Sequence, residues 1–183
     1  MSALDFFQRW RVRLGYLLGI VALVLARPTL RSIIMGGAVG LIGLAIRAYA
    51  AGYLHKQEVL TTTGPYARTR NPLYFGSSIL AAGAAVAMNS WWVAALLFVY
   101  FTLVYSMVMR REELELRRQH GAAFDQYSAS VPLFFPRLFA SAHPSPASSA
   151  FSAKQYAKNH EYQAMIGFVL LLIALLLIWH FRT

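Results

Sequence analysis

The sequence predicts an all-α fold: a polytopic membrane helical bundle of about five transmembrane helices, with the N-terminus in the cytoplasm. Three observations predict it. Hydrophobic residues make up 58% of the 183 residues and charged residues only 13%, against about half and about a quarter in ordinary soluble domains. The apolar residues gather into five runs separated by polar stretches, and mean hydropathy is +0.48. Taken as spans, these runs leave nearly all Lys and Arg on one side.

A helix crosses the bilayer core with about 20 apolar residues, fewer where its ends are buried in protein. The runs cover about residues 14–26, 33–54, 73–88, 91–109 and 164–179. The first and third are short and also suit a re-entrant pair or buried core helices. The first follows Arg9, Arg11 and Arg13 but ends in Ala26-Arg27-Pro28, without a small-x-small cleavage site, so it reads as a retained span. The second carries Gly36, Gly37, Gly40 and Gly43, a pattern that lets helices approach closely. Arg47 also falls within it; an ionisable residue inside a span is a functional candidate that needs a partner, and the favoured expectation is that it snorkels to the interface. Asn89-Ser90 makes a tight turn between the third and fourth runs, and Trp91 and Trp92 anchor at an interface. The fourth run continues as a helix to about Gln119, stopped near Gly121. The fifth is the most hydrophobic.

With the N-terminus inside, Arg9, Arg11, Arg13, Lys56, Arg68, Arg70, Arg110, Arg111, Arg117, Arg118, Arg137, Lys154 and Lys158 lie inside, and only Arg27, Arg31 and Arg182 outside. The net charge of +10 is then a membrane-topology signal, and no nucleic-acid partner is expected. The absence of cysteine excludes disulfides and thiolate metal sites. His55, His120, His143, His160 and His180 have no ligand spacing, so no metal is expected and each reads as a surface or interface residue. Three regions follow: a core over residues 1–139, a cytoplasmic linker and interfacial helix over 140–161, and an additional transmembrane helix over 162–183. Ala, Pro and Ser dominate residues 140–150, and Ser152 suits the cap of a helix through Lys154, Tyr156 and Lys158.

Two motifs flank the hairpin of the third and fourth runs, so both meet on the cytoplasmic side. The first runs from Gly64 through Pro65, Tyr66, Arg68, Arg70, Asn71, Pro72, Leu73 and Tyr74 to Gly76. Asn71-Pro72 reads as N-cap and first helical position, and the helix start favours a carboxylate or phosphate. The second is Arg110-Arg111-Glu112-Glu113-Leu114-Glu115-Leu116, which holds three of the seven acidic residues. Glu112 continues the helical face of Tyr105 and Met109, where a carboxylate needs a partner. Glu115 reads as an ordinary surface charge, paired with Arg111, Arg118 or solvent. Together the motifs describe a mixed-charge pocket at the membrane surface, and the residues alone do not name its ligand.

Gly64, Tyr66, Arg70, Asn71, Pro72, Tyr74 and Gly76, then Glu112 and Glu113, then Gly121, Phe124, Tyr127, Val131 and Pro132, resemble the isoprenylcysteine carboxyl methyltransferase family and its phospholipid methyltransferase relatives. The match covers about residues 43–136. The resemblance implies an integral membrane enzyme of the prokaryotic inner membrane. It would use S-adenosyl-L-methionine in a cytoplasmic pocket, with a lipophilic or lipid acceptor entering from the bilayer. Carried over residue by residue, it implies cofactor contacts from a strand of Glu58, Val59, Leu60 and Thr61, and from Tyr66, Arg70, Asn71, Pro72, Leu73, Tyr74, Glu112 and Glu113. Two positions depart. The family's histidine before proline is Asn71, which cannot act as a base near neutral pH. The arginine that holds the substrate carboxylate in the prenylcysteine branch is Val108. Arg111 is the nearest arginine in helical angle and stands as the catalytic candidate. The alternatives are a phospholipid or amine N-methyltransferase, a membrane reductase with a related core, and a non-catalytic membrane protein retaining the fold. No dinucleotide glycine fingerprint supports the reductase.

Overall fold

The computed structural model describes residues 15–55, 59–139 and 150–182. Glu58, Lys56, the basic residues before Gly15, His143 and nearly all of the Ala/Pro/Ser stretch lie outside them. Among the described residues the elements are helical: α1 (Gly15–Leu25), α2 (Leu30–Tyr53), a 3-10 turn (Gly64–Ala67), α3 (Pro72–Met88), α4 (Trp91–His120), α5 (Ala122–Ser130), α6 (Ala153–Lys158) and α7 (Tyr162–Arg182). The strand expected at residues 58–61 does not form over 59–61, and its Glu58 lies outside the described residues. Val59, Leu60 and Thr61 are coil folded back on the end of α2, where the His55 N–H donates to Thr61 Oγ1 at 3.3 Å. No extended neighbour among the described residues offers that segment a ladder of backbone partners.

Helices α2, α4 and α7 are long and apolar enough to cross a membrane, whereas α1 and α3 are shorter apolar helices. The described residues form an all-helical fold of membrane-protein character. Its 30-residue α4 is about 45 Å long, which exceeds a hydrocarbon core of about 30 Å. The excess is the charged segment beyond Met109, which projects past the apolar layer.

Helix ends gather at two opposite poles. At one, the Arg27 N–H donates to the Met88 carbonyl at 2.9 Å, and Arg182 Nη1 donates to the Ala26 carbonyl at 2.6 Å. Thr29 and Ser32 cap α2 reciprocally, and Ser32 Oγ reaches the Ala87 carbonyl at 3.1 Å. Ala22, Ala26, Ile33, Ala87, Met88, Val93 and Leu175 are buried there together. Asn89 turns the chain between α3 and α4 with φ 48, a left-handed conformation that asparagine tolerates. The other pole carries the sequence motifs.

Helices α2 and α3 pack backbone to backbone. A Cβ on Gly36 would stand 2.4 Å from Ala87 N, one on Gly43 2.5 Å from Leu80 N, and one on Gly83 2.5 Å from Gly40 N. Gly40 also receives the Phe168 ring of α7, which an added Cβ would meet at 2.0 Å. The glycine stripe therefore holds three helices at backbone distance, the close approach that small residues permit in a membrane.

Candidate active site

The motif pole is built from four pieces. Gly64, with φ +60, starts the 3-10 turn against the Tyr53 ring and buries Tyr66 beneath it. Pro72 then begins α3 at its first position, where a missing N–H costs nothing. Gly121, with φ +51, breaks the chain between α4 and α5. Helix α5 turns Phe124 and Tyr127 inward, and with Val131 they form a small core under Leu60 and Leu116.

Hydrogen bonds tie this tail to the first motif. The Tyr127 hydroxyl donates to the Tyr66 carbonyl at 2.7 Å. The Arg70 N–H donates to the Pro132 carbonyl at 2.9 Å, and the Arg137 N–H to the Arg68 carbonyl at 3.0 Å. Asn71 belongs to the same seam. It makes no side-chain cap for α3, contrary to the sequence expectation; its Nδ2 donates instead to the Leu133 carbonyl at 2.9 Å. A backbone φ of −127 with ψ 57 is not the β-region geometry usual for capping, and the tail offers a buried acceptor.

These pieces enclose a cavity of about 450 Å³. Val59, Leu60, Thr61, Tyr66, Arg70, Asn71, Pro72, Leu73, Tyr74, Glu112 and Glu113 all line it. The structure thus brings together the cofactor candidates that lie among the described residues. Glu58 lies outside them. Arg111 does not line the cavity; it is exposed on α4, about 100° around the helix from Glu112. Glu115 does line the cavity, with its Oε1 accepting from Gln119 Nε2 at 2.7 Å, and so do His55 and His120. These three border the cavity, with Glu115 exposed and His55 and His120 half-buried.

The cavity's charges are arranged in pairs. Arg70 pairs with Glu113 and leaves its Nε buried without a partner. Glu112 Oε1 accepts from the Tyr74 hydroxyl at 2.6 Å, and among the described residues no cation pairs with it. The Tyr66 hydroxyl is buried without a partner. Burial pushes the Tyr66 phenol well above its ordinary pKa, and Tyr127, Glu112 and Glu161 push it in the same direction. Burial also raises Tyr127, against the nearby charge of Arg70.

Two further cavity residues were not assigned to the pocket from the sequence. Arg47 of α2 does not snorkel: its Nη2 donates to Glu161 Oε2 at 2.6 Å and its Nη1 to Ser77, and it lines the cavity. Glu161 comes from the corner between α6 and α7 and lines the cavity as well. A lone arginine inside an apolar span was the available signal for the first. Glu161 gave none, because its partner lies 114 residues away.

A second cavity, of about 680 Å³, opens between α3 and α4. Its walls are apolar: Ala81, Ala85, Leu97, Phe98, Met109 and Phe134 are typical. Tyr74 lines both cavities. Its ring meets the Tyr105 ring edge-on with centroids 4.9 Å apart, and Tyr105 stacks on Phe101 at 4.4 Å. A polar pocket and an apolar groove thus share one aromatic wall.

Comparison with known proteins gives the family. The phospholipid methyltransferase family profile matches residues 10–123. The chain is 37% identical over 106 residues to the nickel-cobalt-cadmium resistance protein NccN of Alcaligenes xylosoxydans xylosoxydans, covering 55% of this chain and 49% of that protein. It is 33% identical over 105 residues to the cobalt-zinc-cadmium resistance protein CzcN of Cupriavidus metallidurans (strain ATCC 43123 / DSM 2839 / NBRC 102507 / CH34), covering 54% and 48%. The aligned part spans about half the length of these curated relatives. No solved structure matches. Since the family profile covers well over half of the sequence and carries both cavity motifs, the chain belongs to the phospholipid methyltransferase family.

Proposed function

We propose that the protein is an S-adenosyl-L-methionine-dependent membrane methyltransferase acting on a lipophilic acceptor. The observation that carries this reading is the junction at Tyr74, where a polar pocket for a water-soluble donor meets an apolar groove for a lipid-soluble acceptor. The residues present fit the donor. The pocket's volume lies within the usual range of about 300–1,000 Å³ for cofactor sites. Arg47 Nε, Arg70 Nε and the Tyr66 hydroxyl are buried donors without partners, all on lining residues, and an anionic or polar ligand satisfies them. Glu112 would take the ligand's hydroxyl or cationic groups, and the start of α3 its carboxylate. When bound, the donor supplies an electrophilic sulfonium methyl group.

The chain's own contribution is positioning. Tyr74, held by Glu112 and Tyr105, aligns the two cavities, and holding two reactants in line is itself a large rate effect. The apolar walls of the groove exclude water from the transfer. A carboxylate or thiolate acceptor needs no base, which agrees with Asn71 spending its amide on Leu133. A second reading is favoured by the lack of a cation beside Glu112 among the described residues: an amine headgroup whose proton that carboxylate accepts.

Calorimetry in detergent tests the reading. The wild type binds S-adenosyl-L-methionine, and Glu112→Ala weakens binding by about tenfold or more, as expected for a charge-assisted hydrogen bond. No binding by a well-folded wild type overturns it. Methylation assays with prenylcysteine, phosphatidylethanolamine and small thiols side by side separate the acceptors.

A further inference from the structure

The corner between α6 and α7 lies outside the residues matched by the family profile, yet it supplies a wall of the cavity. It is fixed there by polar contacts to the end of α2. Gln155 Nε2 donates to the Leu54 carbonyl at 2.6 Å, and Asn159 Nδ2 to the Ala51 and Leu54 carbonyls at 2.8 and 3.0 Å. The Ser152 N–H donates to the Gly52 carbonyl at 3.0 Å, and the Ser152 side chain caps α6 through the Gln155 N–H. These donors satisfy carbonyls that a helix C-terminus otherwise leaves open. The Phe151 ring fills the notch at Gly52, where a Cβ would meet it at 2.2 Å. The corner is preorganised, and Glu161 is delivered to Arg47 on a rigid base.

The Arg47–Glu161 pair departs from a purely structural ion pair. Both side chains line the cavity while only 19% and 9% exposed. The Arg47 Nε is buried with no partner, so the guanidinium retains a donor after serving Ser77 and Glu161. A cavity wall with one half-buried cation beside one half-buried anion complements a ligand with the same two charges side by side. An α-amino-acid group is such a ligand: its carboxylate suits the planar fork of arginine and its ammonium suits a carboxylate. A phosphate is disfavoured at the same wall, because Glu161 repels it.

We propose that Arg47 and Glu161 form the subsite for the α-amino-acid end of the methyl donor, so that the C-terminal segment is part of the binding site. This rests on the donor site described under Proposed function. Arg47 Nε donates to the ligand carboxylate, and the Glu161 carboxylate accepts from its ammonium. The start of α3 shares the carboxylate with Arg47, and Glu112 serves the rest of the ligand.

The test compares S-adenosylhomocysteine with 5′-methylthioadenosine, which keeps the nucleoside but lacks the amino-acid end. Both are titrated calorimetrically into the detergent-solubilised full chain. The readout is the ratio of the two dissociation constants. The wild type favours S-adenosylhomocysteine by about tenfold or more. Glu161→Gln keeps side-chain volume and an acceptor for Arg47, so it folds, as judged by size exclusion and melting. In this variant the preference falls toward equality while 5′-methylthioadenosine binding is unchanged. Arg47→Lys, which keeps the charge but not the fork, gives the same fall and serves as the second variant if Glu161→Gln does not fold. An unchanged ratio in the variants, an equal loss of both ligands, or a wild type without preference overturns the proposal. A wild type that binds neither ligand overturns the donor site itself and the subsite with it.

Discussion

At the scale of single residues, the cavity is held by side chains whose polar atoms reach backbone. Tyr127 joins the tail of the motif to its start through one hydrogen bond to the Tyr66 carbonyl. Tyr127→Phe leaves that buried acceptor unpaired, at a cost of about 1–3 kcal/mol. A lowered melting temperature in detergent, with the ring packing of Phe124 retained, is the expected result. Tyr66 predicts a pH effect. Its folded-state pKa is raised, so its contribution to stability is present below the ordinary tyrosine value of about 10. As pH rises past that value, the unfolded phenol ionises before the folded one and stability falls, by up to about 1.4 kcal/mol per pH unit for one linked proton. Melting profiles between pH 8 and about 11 should therefore decline less steeply in Tyr66→Phe than in wild type. Tyr66, Tyr74 and Glu112 could be picked from the sequence because each falls in a compact motif. Asn71 was picked for the wrong local reason: a cap is a one-residue inference, whereas its acceptor at Leu133 belongs to a loop 62 residues on.

At the scale of elements, helix positions were legible because apolar runs and their punctuation are local signals. The four-residue link 26–29, Asn89-Ser90 and Gly121 all mark real boundaries. The strand at 59–61 was not legible as coil, since an extended segment becomes a strand only when a distant partner pairs with it. The glycine pattern announced close packing, but which glycine met which neighbour required the structure. Gly83→Ala places a methyl group 2.5 Å from Gly40 N and 2.7 Å from Gly36 O, both backbone atoms that cannot step aside singly. Such overpacking typically costs about 1–3 kcal/mol and shifts the helices. We expect Gly83→Ala to lower both the melting temperature and donor affinity, because Arg47 and Pro72 ride on the displaced pair. Gly167→Ala, which meets nothing within 4 Å, should leave both unchanged.

At the scale of the whole molecule, the two poles make a topological prediction. The natural absence of cysteine makes every introduced thiol unique. Single cysteines at Gln119 and Asn159 should react with a membrane-impermeant maleimide only from the cytoplasmic side, and those at Arg31 and Asn89 only from the opposite side. Labelling of all four from one side contradicts the crossing of α2 and α4. The charge distribution along the sequence supports this orientation, since Lys and Arg positions record sidedness directly. It could not reveal that the C-terminal segment reaches back to the cavity, because Glu161 is one charge in a polar stretch with no spacing to any motif.

The separation of Arg47 from Glu161 along the chain also imposes an order in time. Arg47 sits in α2, and its counter-ion is synthesised 114 residues later. During that interval an arginine in an apolar helix stands without its carboxylate, a state that translocon scales place at a few kcal/mol at most, less near a helix end. Ser77, on the next helix, arrives first and gives the guanidinium an interim acceptor. Until Glu161 is made, the nascent cavity lacks one wall. That wall is completed when α7 packs and Phe168 enters the notch at Gly40.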